Sequence, residues 1–338
     1  MSRVTINDVA SAAAVSIKTV SRVINREPNV RPAVQARVEA AIRKLGYVPN
    51  TAARSLAGAR SFVIGAIFDN PNPHYIIAVQ RGAMAACRQS GYHLAIEELD
   101  TAKNAAAQMR AMLATARLDG VILSPPVTDC AAVLDALDAK NIPYVRLMPA
   151  TAKGRSPVII SDDAAAAAEA ARHLWDFGHR RIAVIAGPAG HSASALRLEG
   201  FRHGIASAGG DARQVRVVKG DFTFRSGLAA GLALFAEKKH PTAIFASNDD
   251  MAAGVYSAAA QSGLRIPDDV SVVGYDDSPV AELVWPPLTT VRQPVAEMAA
   301  EAARLLIEGR GSDAPHTFEL PYKMIMRGST GAEPCMGC

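Results

Sequence analysis

Clusters of carboxylates, amides and hydroxyls recur where short apolar runs end: Asp69-Asn70, Ser124, Ser161-Asp162-Asp163, Asp221, Ser247-Asn248-Asp249-Asp250 and Tyr275-Asp276-Asp277. Such groups accept and donate hydrogen bonds in the paired geometry that neighbouring hydroxyls need. Tyr75, Phe222 and Trp285 offer flat apolar faces for a ring to stack on. Each cluster alone has a plainer reading, since Asp163 or Asp249 at a helix start can simply cap it. Nothing in the spacing pairs the carboxylates for acid–base work. A Gly-rich phosphate loop, a nucleophile elbow and an HExxH zinc pair are all absent. Taken together the clusters read as a polyol-binding cleft and not as an enzyme, with no metal or cofactor.

A second set of residues carries charge. Residues 1–60 hold ten Lys or Arg against three Asp or Glu, a net +7, while the rest of the chain is −3 within an overall +4. A basic head on a mildly acidic body is the footprint of a polyanion-binding module. Lys18 and Arg22 can reach guanine or phosphate, Ser21 and Asn25 can read base edges, and Ile17 can meet a thymine methyl. Ser16 at a helix start suits a phosphate.

These residues need elements to hold them. Thr5 and Asp8 open a helix whose apolar positions are Ile6, Val9, Ala10 and Ala13. After a break at 14–16, a second helix buries Val20, Val23 and Ile24. A third begins at Pro32 behind Arg31, a poor cap, and stops at Gly46 with the stripe Val34, Val38, Ala41, Ile42, Leu45. Two short helices joined by a tight turn and closed by a third make a helix-turn-helix. A generic three-helix bundle has the same periodicity, and the polar outer face of the second helix argues against it. Residues 50–57, capped by Asn50, read either as a helix too short to persist alone or as a linker.

From residue 61 the pattern alternates strands (62–68, 93–98, 120–124, 143–148, 158–161, 181–186, 215–219, 243–246, 270–274) with helices such as 75–90, 163–177, 195–208, 225–236 and 250–262. That alternation predicts an α/β fold of parallel sheets covered on both faces, and so many strands suggest two lobes. Ligands in such folds sit beyond the carboxyl ends of the strands, which is where the polar clusters fall.

The segments VTINDVASAAAVSIKTVSRVIN (4–25) and LGYVPNTAARSLA (45–57) resemble the head of the lactose/galactose repressor family. GHRRI (178–182), RLEGF (197–201), FASND (245–249), VVGYDD (272–277) and PLTTVRQP (287–294) carry the resemblance to about residue 330. It implies a helix-turn-helix head (1–49), a hinge helix and linker (50–60), and a two-lobed periplasmic-binding-protein-like domain (61–330) with a short tail (331–338). The chain would cross between lobes near 161–163, 290–293 and 320–323. It implies DNA contacts at Thr5, Ser16, Ile17, Lys18, Thr19, Ser21, Arg22, Asn25, Arg31, Asn50 and Ala53. Leu56 would wedge into a minor-groove base step, at a stacking cost of about a few kcal/mol. The implied effector contacts are Asp69, Tyr75, Arg197, Phe222, Asn248, Asp276 and Gln293. Three departures stand out: Ala14 sits where the family often has Gly, Arg31 sits where it often has Ser or Thr, and 70–74 lacks the aromatic-rich loop many members carry.

The reading that results is a ligand-responsive, sequence-specific transcription regulator, a repressor. It would bind a pseudo-palindromic double-stranded DNA operator as a homodimer, with a saccharide between the lobes. Alternatives are a purine- or nucleoside-responsive regulator of the same architecture and a sugar-binding protein without DNA function. The N-terminus has no signal-peptide apolar core, and no apolar run is long enough to span a membrane, so a cytoplasmic location is expected. Four cysteines are too few for a disulfide framework; Cys335 and Cys338, though spaced CxxC, have no second ligand pair nearby. The tail has no leucine heptad, so a dimer is expected rather than a tetramer.

Overall fold

A computed structural model describes residues 4–24, 30–47, 60–70, 72–151, 153–312 and 314–334. The chain divides into two compact units, residues 1–62 and 63–338. Asn25, Asn50, Ala53, Leu56 and the helix expected at 50–57 lie outside the described residues, as do Cys335 and Cys338.

The first unit holds α1 (Ile6–Ala13), α2 (Ile17–Ile24) and α3 (Pro32–Leu45). Val9, Ala10, Ala13, Val20, Val23, Val38 and Ala41 are its buried core, with Ile6, Ile24, Ile42 and Leu45 packed around them. At the start of α1 the Asp8 carboxylate accepts the Thr5 N–H and hydroxyl, each at 2.8 Å. Ser16 Oγ accepts the Thr19 N–H at 3.2 Å and so caps α2. Arg31 stands at the N-cap of α3 without a side-chain bond. Ala14 occupies the turn in a left-handed conformation (φ 49°, ψ 50°), which strains a residue with a Cβ by about 1–2 kcal/mol.

The second unit has two six-stranded sheets. In the first lobe β1 (Val63–Phe68), β2 (His93–Glu98), β3 (Gly120–Leu123), β4 (Tyr144–Leu147), β5 (Val158–Ile160) and β11 (Thr317–Glu319) run in the order β11-β5-β4-β3-β1-β2. α4 (Pro73–Gln89), α5 (Ala105–Thr115), α6 (Ala131–Asp138) and α12 (Val295–Ile307) belong to it. In the second lobe β6 (Ile182–Ala186), β7 (Arg216–Lys219), β8 (Ala243–Ala246), β9 (Ser271–Asp276), β10 (Thr289–Arg292) and β12 (Lys323–Ile325) run β12-β10-β9-β8-β6-β7. Its helices are α7 (Asp163–Asp176), α8 (Ser192–Ser207), α9 (Phe224–Phe235), α10 (Asp249–Gln261) and the short α11 (Val280–Leu283). The backbone passes between lobes three times: from β5 to α7, from β10 to α12, and from β11 to β12.

β10, β11 and β12 were not expected from the sequence. β10 is rich in Thr, with Thr289 and Thr290 buried by hydrogen bonding rather than by apolarity; β11 and β12 are three-residue edge strands, too short to show a period. The sheets are also not wholly parallel, because β12 pairs antiparallel with β10. Close helix contact positions the site. A Cβ on Gly200 of α8 would lie 2.1 Å from the Ala164 carbonyl oxygen of α7, so only Gly lets α8 approach closely enough for Arg197, one turn earlier, to meet Asp163.

Candidate functional site

Residues just past the carboxyl ends of both sheets enclose a cavity of about 30 Å³ between the lobes. Six of the seven expected contacts line it: Tyr75, Arg197, Phe222, Asn248, Asp276 and Gln293. The structure adds Asn70, Asn72, Pro125, Met148, Asp163, His191 and Ala193. Asp69 is not in the lining; its carboxylate accepts the Thr101 N–H at 2.8 Å and the Thr101 hydroxyl. Trp285, expected as a stacking surface, is 85% exposed and also absent from the lining.

Arg197 is the centre. Its guanidinium donates to the Ser247 carbonyl at 2.6 Å, lies 3.5 Å from Asp163 and 3.7 Å from Asp276, and sits 3.6 Å from the Tyr275 ring centroid. Burial alone would lower its pKa, but the charges of Asp163, Tyr275 and Asp276 outweigh that and hold it above its ordinary value. Asp163 accepts from the Tyr275 hydroxyl and from Gln293 Nε2, the latter at 3.1 Å. It does not cap α7: Asp162 does, accepting the Ala165 N–H at 2.8 Å. Likewise Asn248, not Asp249, caps α10 through the Met251 N–H, while its amide donates to the Phe222 carbonyl at 2.9 Å. The caps fall one residue earlier than the sequence suggested, which frees Asp163 for the cavity. Asp249 is turned into the wall, accepting the Thr290 hydroxyl at 2.6 Å and the Ser278 N–H at 2.7 Å. Burial pushes its pKa well up, helped by the nearby Asp276 charge.

Asp276 accepts from Asn72 Nδ2 of the other lobe at 3.1 Å. Burial raises its pKa to about 7; Arg197 pulls against this, and Asp163 and Asp250 push with it. His191 faces the cavity with its ring edge-on to Phe222, centroids 5.2 Å apart. Burial first, then the Arg197 charge, takes its pKa down to about 4, so it is uncharged at neutral pH. Three lining residues, Met148 (φ 48°), Phe222 (φ 68°) and Asp276 (φ 109°), hold left-handed backbones. Strain of this kind costs on the order of 1–3 kcal/mol each and concentrates at functional sites. Sequence reading missed His191, Asn72 and Met148. Their signal was the one already in use: each follows the end of a strand.

In the head, α2 presents Ile17, Lys18 and Arg22 to solvent, with Ser16 before it; Thr5 and Arg31 are exposed too, and Thr19 and Ser21 are half-buried. Ile17 is 51% exposed, an apolar residue that no core contact accounts for. Among the described residues no helix is long and apolar enough to cross a membrane, and no His, Cys, Asp and Glu cluster is suited to a metal.

A helix-turn-helix head joined in one chain to a two-lobed domain with a polar inter-lobe cavity defines a DNA-binding regulator with a small-molecule site. Comparison with known proteins agrees. Residues 5–50 match the pattern of bacterial regulatory proteins of the lacI family, and 171–330 match a periplasmic binding protein-like domain. The ribose operon repressor of Escherichia coli K12 is 36% identical over 90% of this chain and 92% of its own. Catabolite control protein A of Priestia megaterium is 32% identical over 97% and 99%. Among solved structures, the transcriptional regulator CelR–cellobiose complex superposes with a TM-score of 0.73 at 33% identity, covering 97% of this chain and all of that one. The lac repressor dimer bound to operator and the anti-inducer ONPF gives 0.75 at 29%, over 98% and 100%. The chain belongs to the lacI family of bacterial regulatory proteins and is a DNA-binding transcription regulator.

Proposed function

We propose that this chain represses transcription by binding a pseudo-palindromic operator as a homodimer, and that a neutral saccharide between its lobes sets its grip. One observation carries the effector reading. Buried polar atoms without hydrogen-bond partners converge on the cavity: Asp163 Oδ2, Arg197 Nε, both ring nitrogens of His191 and Gln293 Oε1. Leaving such atoms unmade costs about 1–3 kcal/mol each, a cost that a ligand rich in hydroxyls would relieve. Two carboxylates share the one guanidinium, and His191 is neutral, so an anionic ligand such as a sugar phosphate is disfavoured. A cavity of about 30 Å³ holds little more than one water molecule. Tyr75, Asp276 and Gln293 also border a wider cleft of about 840 Å³ between the lobes, through which a saccharide can approach. Relatives include the CelR–cellobiose complex, the ribose operon repressor and the HTH-type transcriptional repressor PurR of Vibrio cholerae.

On the DNA side, Ile17, Lys18 and Arg22 would read the major groove, with Thr5, Ser16, Thr19, Ser21, Asn25 and Arg31 on phosphates or base edges. Asn50, Ala53 and Leu56 would enter the minor groove between two half-sites. Leu283 and Trp285, 81% and 85% exposed, supply an apolar face for pairing two copies. The test is calorimetric titration of the full protein with ribose, cellobiose, other neutral saccharides and purines, beside an Arg197→Ala variant. Saccharide binding that the variant loses supports the reading; binding of purines alone, or a variant that binds as tightly as the parent, sinks it.

A further inference from the structure

Two neighbouring pairs of residues each place one member in the small cavity and the other in the wider cleft just outside it. β9 and β10 lie in parallel register with Asp276 beside Arg292, at the ends of both strands. Asp276 and Gln293 line the small cavity, whereas their neighbours Asp277 and Arg292 line only the wider cleft of about 840 Å³ beside it, which Asp276 and Gln293 also border. The two outward members bind each other, Arg292 Nε to Asp277 Oδ2 at 2.6 Å. The second Asp277 oxygen lies 2.7 Å from Arg327 Nη2, an ion pair without hydrogen-bond geometry, and Arg327 also reaches Glu282 of α11 at 3.3 Å and the Leu288 carbonyl at 2.9 Å. The Asp277 side chain is only 6% exposed. The network therefore begins at two cavity-lining positions and ends at the segment that exposes Leu283 and Trp285.

We infer that Asp277 is a positioning residue that couples the cavity to the apolar surface segment 280–285. Asp276 and Asp277 are consecutive left-handed residues, φ 109° and 52°. A backbone so constrained has few neighbouring conformations, so a displacement of Asp276 is carried into Asp277 instead of being absorbed locally. From there Arg327 hands it to Glu282 on α11, because a doubly anchored guanidinium is rigid. Arg292 gives the same network a second grip on the crossing strand at Gln293. This proposal rests on the effector reading only in taking the cavity as the place where the displacement starts.

The experiment needs no ligand. Amide hydrogen exchange of residues 280–285 is measured in the full-length parent, in Asp276→Asn, in Asp277→Asn and in the double variant. Asn tolerates the left-handed backbone as well as Asp does, so Asp277→Asn removes the charge without new strain. Arg327→Gln breaks the same route from its other end, should Asp277→Asn fold poorly. Coupling of the usual size means that Asp276→Asn changes exchange at 280–285 by roughly three- to tenfold. The change disappears when Asp277→Asn or Arg327→Gln is also present. If it persists unaltered in those backgrounds, or if Asp276→Asn leaves 280–285 untouched, the coupling is refuted. The effector reading fails separately, when no saccharide binds the parent.

Discussion

Asp276 should make the ligand-free protein less stable than it could be. Its pKa moves from an ordinary 3.8 to about 7, chiefly through burial. In the unfolded chain it ionises near pH 4; in the folded chain it holds its proton until about pH 7. Any stability credited to the protonated form is thus complete below pH 4 and is lost progressively as the pH climbs to 7. Three units amount to about 4 kcal/mol lost at pH 8. Asp276→Asn removes the ionisation, and the raised pKa already includes the pull of Arg197 on the charged form. The variant should therefore gain about 4 kcal/mol over the parent at pH 8 and nothing at pH 4. For a unit of this size that is a rise in Tm of about 8–16 °C at the higher pH. Melting of parent and variant across pH 4 to 8 measures it. A difference that stays constant with pH, or a variant less stable than the parent at pH 8, refutes the reasoning. The same variant should bind saccharide less well, because it replaces an acceptor of two hydroxyls with a group that offers one oxygen.

Ala14→Gly relieves the left-handed turn between α1 and α2 at the expense of a looser unfolded chain; the balance should stabilise the head by about 0.5–1 kcal/mol, seen as slower amide exchange in α1 and α2. Arg22→Ala should weaken binding to the specific operator by about 1–3 kcal/mol while changing non-specific DNA binding far less; equal losses on both would place Arg22 on phosphate. Arg31→Ala should instead lower the slope of log affinity against log salt by about 1, with site preference kept.

Much of this protein was legible in its residues. The three helices of the head follow from Val9, Val20, Val23 and Val38 at helical spacing, with Ser16 as a local start signal and Gly46 as a stop signal that need no tertiary context. The alternation of apolar runs and Ala-rich helices specified the α/β class, because a strand buried on both faces needs an unbroken apolar run. Six of the seven residues expected at the effector site line the inter-lobe cavity, and they follow strand ends, where ligands sit in such folds.

Tertiary structure decided which strand-end groups are used. Asp69 and Asp276 are the same kind of residue in the same kind of place, yet Thr101 occupies Asp69 whereas Arg197 and Asn72 leave Asp276 in the cavity. Whether Asp163 caps a helix or faces a ligand turned on one residue of offset, below the precision of any periodicity. His191 carried the strand-end signal of position, but nothing in the sequence showed that its ring would be uncharged, because that follows from burial, a property of what other parts of the chain bring near. Short-range chemistry fixes where a helix or strand begins; only packing between distant segments determines which polar atoms are left without partners, and those atoms make the site.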